Sequence, residues 1–224
     1  MMNFKHPINT DYSFEQLVSF SKSQAGQDLF VLAMFEAKTN GTFLEIGSGY
    51  PKRNSNCYFL EKYFAWSGTS IDIKVCENAH ENWNIDRPRS DLHIVDAVCF
   101  DYSTLPSYVD YLQLDIDDPV ATATLLEKLQ HITFGTLTVE HDIYSKAPEC
   151  YALKNFARRH LIAHGYVLLA DNIICARMNE DVKNRLVFED WYVHADIISK
   201  EIIETYKQVD YDTLGKFYFD VLFK

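Results

Sequence analysis

Several places in the chain carry residue types that could do chemistry together. Glu45-Ile46-Gly47-Ser48-Gly49 sets two glycines one residue apart behind a short apolar run. Glycines there let the backbone turn tightly and let a ligand lie against it. A helix start just beyond would offer free N–H groups. Taken alone, such a turn is also an ordinary strand-to-helix connection. Asp72 follows Gly49 by about twenty residues, the spacing at which an acid accepts both hydroxyls of a ribose. Val95-Asp96-Ala97 places another acid where it can accept from an adenine amino group or simply start a turn. Glycine turn and spaced acid together point to a nucleoside ligand. The third glycine of the dinucleotide fingerprint is replaced by Lys52. That favours a nucleoside without a pyrophosphate, of which S-adenosylmethionine is the common one.

Two further sites carry acid–base character. Leu114-Asp115-Ile116-Asp117-Asp118 ends an apolar run in carboxylates that repel one another unless they meet a donor, a cation or water. Asp118 before Pro119 reads as a helix N-cap, which leaves Asp115 for function. Val139-Glu140-His141-Asp142 runs an apolar segment straight into Glu-His-Asp. His141 is a candidate general base, because imidazole titrates near neutrality. His160 and His164 have a metal-ligand spacing, but Arg158 and Arg159 beside them suggest a solvated face. Leu168-Leu169-Ala170-Asp171-Asn172 resembles the magnesium-binding strand end of catechol-type O-methyltransferases, yet it follows a sixth strand remote from such a site. No metal is assigned. The acids of Phe188-Glu189-Asp190-Trp191-Tyr192 have no partner legible in the sequence.

The elements that must position these residues alternate. Helical patterns span 24–38, 56–64, 76–83, 120–129, 149–164 and 197–206. Strand patterns span 42–46, 69–73, 93–100, 111–116, 135–140, 166–170 and 187–193, with another among the last ten residues around Phe217-Tyr218-Phe219. Such alternation means βαβ units and a mostly parallel sheet, whose ligands bind at the carboxyl ends of the strands.

Over most of the chain these motifs resemble the FkbM-type family of S-adenosylmethionine-dependent methyltransferases. The likeness runs from Ser23-Gln24-Ala25-Gly26-Gln27-Asp28 through Phe43 to Gly47, Ser55 to Lys62, Trp66 to Asp72, Asp110 to Asp115 and Val139 to Asp142, and closes at Phe188-Glu189-Asp190-Trp191. Asp115-Ile116-Asp117-Asp118 stands where many members have Asp-x-Glu-Gly. The resemblance implies an α/β, Rossmann-like fold with a mostly parallel seven-stranded sheet and helices on both faces. It implies S-adenosylmethionine as cofactor and methylation of a hydroxyl on a sugar or small metabolite. Glu45, Gly47 and Gly49 would line the cofactor, Asp72 hold its ribose and Asp96 approach its adenine. Asp115 or His141 would remove the hydroxyl proton, with Glu140 orienting. A non-catalytic nucleoside-binding module and a nicotinamide-dependent oxidoreductase are the alternatives.

Composition bounds the rest. The chain has 224 residues and a net charge of −11, from 21 basic and 32 acidic residues. That excess disfavours nucleic acid and anionic membrane as partners and leaves a small-molecule or glycan acceptor. Five cysteines without a Cys-x-x-Cys pair suggest free thiols in a reducing compartment. With no signal-like start and no membrane-length apolar run, a cytoplasmic location is expected. The expected organisation is a lead-in over 1–22 and one methyltransferase domain over 23–224.

Overall fold

The computed structural model describes residues 11–74, 79–174 and 186–207. Seven strands form one sheet in the order β3-β2-β1-β4-β5-β7-β6. They are β1 (Thr42–Ile46), β2 (Ser67–Asp72), β3 (Ser90–Ile94), β4 (Tyr108–Leu114), β5 (Thr133–Glu140), β6 (Tyr166–Ile174) and β7 (Val187–His194). The first five are parallel; β7 runs antiparallel between β5 and β6. The Rossmann-like, mostly parallel seven-stranded sheet expected from the sequence is thus present, with an antiparallel pair, β7 and β6, at one edge.

Helices cover both faces. On one lie α1 (Phe14–Phe20), α2 (Gln27–Met34), α3 (Tyr58–Phe64) and α7 (Lys200–Lys207), over a core that includes Phe30, Phe43, Tyr111 and Trp191. On the other lie α5 (Pro119–Lys128) and α6 (Pro148–Ala163), over Leu44, Ile46, Leu112, Leu137 and Tyr192. The alternation of residues 43 and 45 against 44 and 46 between these layers is the period of a strand buried on both faces. A further helix, α4 (Ala79–Asp86), precedes β3. All eight residues of α2 are buried, and Asp28 among them accepts from the Ser21 and Ser23 hydroxyls and from the Lys22 and Leu29 N–H groups. Those four donors explain how an acid can sit fully inside. The lead-in holds α1, whose Leu17 is in the core.

Many element boundaries differ from expectation by a few residues, and two of them have a legible local reason. The strand read over 93–100 starts at Ser90 and stops at Ile94, because the Asp96 carboxylate accepts from the Val98 N–H and caps a short 3-10 turn. The strand read as ending at Ala170 continues to Ile174 through bulges against β7. The start of the helix read from Cys76, and the strand around Phe217, lie outside the described residues.

Candidate functional site

The strand order reverses between β1 and β4, so their carboxyl ends flank the crevice where ligands of such sheets bind. Gly47 leaves β1 with φ +82, donating its N–H to the Ile71 carbonyl. Asp115 leaves β4 and donates its N–H to Ile46. The two chain segments pass so closely that a Cβ on Gly47 would fall on the Asp115 carbonyl oxygen. Only glycine fits there. Gly49, also at positive φ, faces open space: nothing lies within 4 Å of the position its Cβ would take. Its N–H donates to Asp72 at 2.7 Å, and the other Asp72 oxygen accepts from the Lys74 N–H at 3.0 Å. The glycine turn and the spaced acid, separate in sequence, are one hydrogen-bonded unit. Ile73, next to Asp72, exposes an apolar side chain at 69%.

Glu45 lies behind this turn. Its carboxylate accepts from Arg87 at 2.9 Å, Ser70 at 2.7 Å and Ser55 at 3.1 Å. Arg87 is fully buried and also donates to Glu61 at 2.6 Å, to Ser55 at 3.0 Å and to the Pro51 carbonyl at 3.4 Å. Its guanidinium packs over the Phe43 and Trp83 rings. Burial pushes the Glu61 carboxyl up, and the Arg87 charge opposes that rise. This cage ties the segment after the glycines to β1, β2, α3 and the end of α4. Sequence reading missed Arg87, because Arg87-Pro88-Arg89 after a helix looks like a solvated corner; an arginine just beyond the buried Trp83 was the only signal.

Asp115 stands at the head of β4 with its carboxyl raised to about 7, first by burial and then by the charges of Asp142, Asp117, Asp72 and Glu45. Asp142, held in a left-handed conformation, is raised too, mainly by burial. Asp118 caps α5, accepting from the Val120 and Ala121 N–H groups, as expected. For Asp115 the linkage has an unusual sign. The folded state resists ionisation, so stability is intact near pH 4 and falls as pH rises towards 7. Asp115→Asn is therefore expected to match the wild type near pH 4 and to exceed it by about 1–3 kcal/mol at pH 8. Urea unfolding at the two pH values measures this; equal stability at pH 8 would show that the carboxyl ionises without penalty.

At the head of β5, Glu140 is the last strand residue and the buried His141 follows it. Glu140 pairs across the ladder with Glu189. The carboxylate beside the buried His141 ring is that of Asp190 on β7, 3.4 Å from Nε2. The expectation that Glu140 orients His141 is corrected accordingly. Asp190 in turn accepts from Arg158 of α6 at 2.7 and 3.0 Å. Asp96 is exposed and uses one oxygen as the cap described above. Asp171 and Asn172 are engaged by Arg158 and Lys154, so protein cations occupy the ground suggested for magnesium. The rings of His160 and His164 lie 4.3 Å apart, tilted by 34°. Among the described residues, no group of three or more His, Cys, Asp or Glu is arranged to hold a metal.

Several polar atoms around these strand ends are buried without a hydrogen-bond partner among the described residues: Ser48 Oγ, Asn56 Oδ1, Gln113 Oε1, Asp142 Oδ1 and both ring nitrogens of His141. Such atoms are rare in folded proteins and each asks for a partner. Their concentration here, together with the open space before Gly49, suits a polar ligand.

No family model matches the chain. No curated protein matches it in sequence. Solved structures do match. A proposed rRNA-methylase from Clostridium thermocellum aligns at TM-score 0.52 and 14% identity, over 77% of this chain and 98% of its own. A proposed RNA methyltransferase from Pyrococcus horikoshii aligns at 0.52 and 14%, over 80% and 96%. The 1,6-didemethyltoxoflavin-N1-methyltransferase of Burkholderia thailandensis, with its substrate and S-adenosylhomocysteine bound, aligns at 0.51 and 14%, over 79% and 80%. At this identity the likeness is one of fold: the chain has the fold of S-adenosylmethionine-dependent methyltransferases. The exclusion of nucleic acid drawn from net charge is withdrawn, since proteins described as RNA methyltransferases share this fold. A summed charge says nothing about the local surface that would meet a strand. Among the described residues, no helix is long and apolar enough to cross a membrane.

Proposed function

We propose that the chain is an S-adenosylmethionine-dependent methyltransferase acting on a hydroxyl of a sugar or small metabolite, as FkbM-type proteins do. The observation that supports the reading is the Gly49–Asp72 unit, a carboxylate with lone pairs to spare beside a glycine turn with free space in front of it. Asp72 would take the ribose hydroxyls through the lone pairs its two backbone donors leave free. Gly47 and Gly49 would line the cofactor, with Glu45 holding the turn from behind through Arg87. Ile73 would cover one adenine face, and the second oxygen of Asp96 would meet the adenine amino group.

S-adenosylmethionine supplies a methyl group on a sulfonium, a good leaving group. The protein is left to align the acceptor and remove its proton. Asp115 or His141, at adjoining strand ends, would remove it, with Glu140 at the same rim. Asp115→Asn and His141→Ala are each expected to lower turnover by about 100-fold or more, a typical general-base contribution. Calorimetry with S-adenosylhomocysteine should show nearly unchanged affinity in both. Unchanged turnover in both variants would remove these residues from the mechanism. An acceptor panel of glycans, small alcohols and RNA tests the substrate class, and methylation of RNA alone would overturn the sugar or metabolite assignment. Binding of NAD in place of S-adenosylhomocysteine would favour the oxidoreductase alternative. Cofactor binding with no methylation across the panel would favour a non-catalytic module.

A further inference from the structure

The His141 ring is buried, and its surroundings are asymmetric. Nε2 lies 3.4 Å from Asp190 Oδ1, both side chains being about 2% exposed or less. Neither ring nitrogen makes a hydrogen bond of good geometry among the described residues. The Asp190 carboxylate, by contrast, meets several donors. Oδ2 accepts from Arg158 Nε at 2.7 Å and from the Tyr192 hydroxyl at 3.4 Å; Oδ1 accepts from Arg158 Nη2 at 3.0 Å and from the Asn172 N–H at 2.8 Å. Burial alone would raise this carboxyl. The His141 ring beside it and the hydrogen-bonded Arg158 guanidinium hold it well below the usual carboxylate range. Asp190 is thus a fixed anion that can only accept.

We infer that Asp190, clamped by Arg158, is a positioning residue that fixes the tautomer of His141, so that Nδ1 carries the lone pair that takes the acceptor's proton. An acceptor-only group at Nε2 demands an N–H there, and a neutral imidazole has one proton to place. The lone pair is then left on Nδ1. A buried acceptor without a partner costs about 1–3 kcal/mol, a cost relieved when a substrate hydroxyl donates to it. In the reaction, the hydroxyl proton passes to Nδ1. The oxygen's electron pair forms the new bond to the methyl carbon, and the old bonding pair stays on the departing sulfur. The imidazolium that results is balanced by the Asp190 charge. This assignment rests on the reading of His141 as a base, and the measurements below separate the two.

Nitrogen-15 spectra of the histidine-labelled full chain, with His141 assigned by its loss in His141→Gln, report the tautomer without any acceptor. Neutral His141 is expected to be protonated at Nε2. In Asp190→Ser it should become a mixture of tautomers, and turnover with an acceptor from the panel should fall at least tenfold, while S-adenosylhomocysteine affinity stays within twofold. Asp190→Asn should keep the Nε2–H form and part of the turnover. The donors converging on Oδ1 select the amide oxygen at that position. A wild-type ring protonated at Nδ1, or averaging between tautomers, overturns the inference, as does an unchanged tautomer in Asp190→Ser. The wild-type spectrum decides even if Asp190→Ser fails to fold. Wild-type turnover in His141→Gln would overturn the base reading while leaving the tautomer result standing.

Discussion

Arg87→Met is expected to destabilise the fold by about 3–5 kcal/mol, the range for removing one partner from a buried ion pair. The guanidinium is fully buried, and Glu45 and Glu61 would be left facing each other without a cation. Against a typical total stability of about 5–15 kcal/mol, such a loss brings the protein close to unfolding at body temperature. Lysine cannot substitute well: its single ammonium cannot reach both carboxylates, Ser55 and the Pro51 carbonyl at once. The damage arises from uncompensated charge, so a triple variant, Arg87→Met with Glu45→Gln and Glu61→Gln, should recover much of the stability. Denaturant unfolding of the three proteins checks this. An Arg87→Met midpoint equal to wild type would mean that the cage contributes nothing net.

Gly47→Ala and Gly49→Ala should differ although both glycines have positive φ. At Gly47 a methyl group would collide with the Asp115 backbone, so β1 and β4 must part. A stability loss of about 2–4 kcal/mol and loss of measurable S-adenosylhomocysteine binding are expected. At Gly49 the space is free, and the only folding cost is the left-handed backbone, about 1 kcal/mol. Yet the new methyl would project into the ground assigned to the ligand. Gly49→Ala should therefore fold nearly normally and bind S-adenosylhomocysteine at least tenfold more weakly. Wild-type affinity in Gly49→Ala would place the ligand elsewhere.

Much of the fold was legible because parallel strands buried on both faces leave long apolar runs. Thr42 to Ile46 was bounded to the residue, since Asn40-Gly41 opens it and Gly47 closes it. The Gly49–Asp72 pairing was legible from spacing. What stayed hidden were contacts set by tertiary structure alone. Glu45 looked like part of a ligand turn because its partner, Arg87, lies in a different βα unit. Asp190 looked partnerless because the His141 and Arg158 that meet it arrive from β5 and α6. The antiparallel course of β7 carries no local mark, and that course is what brings Glu189 and Asp190 to the head of β5.

That reversed strand also gives the site a birth order. The glycine turn, Asp72, Asp115 and His141 are all synthesised before β7. At roughly 5–20 residues per second, the ribosome needs several seconds to pass from His141 to Asp190. During that interval the proposed cofactor turn is already made, while His141 has no Asp190 carboxylate beside its ring. Among the described strands, the one that fills the gap between β5 and β6 is made last, so on the proposed reading closing the sheet and fixing the imidazole become a single folding event.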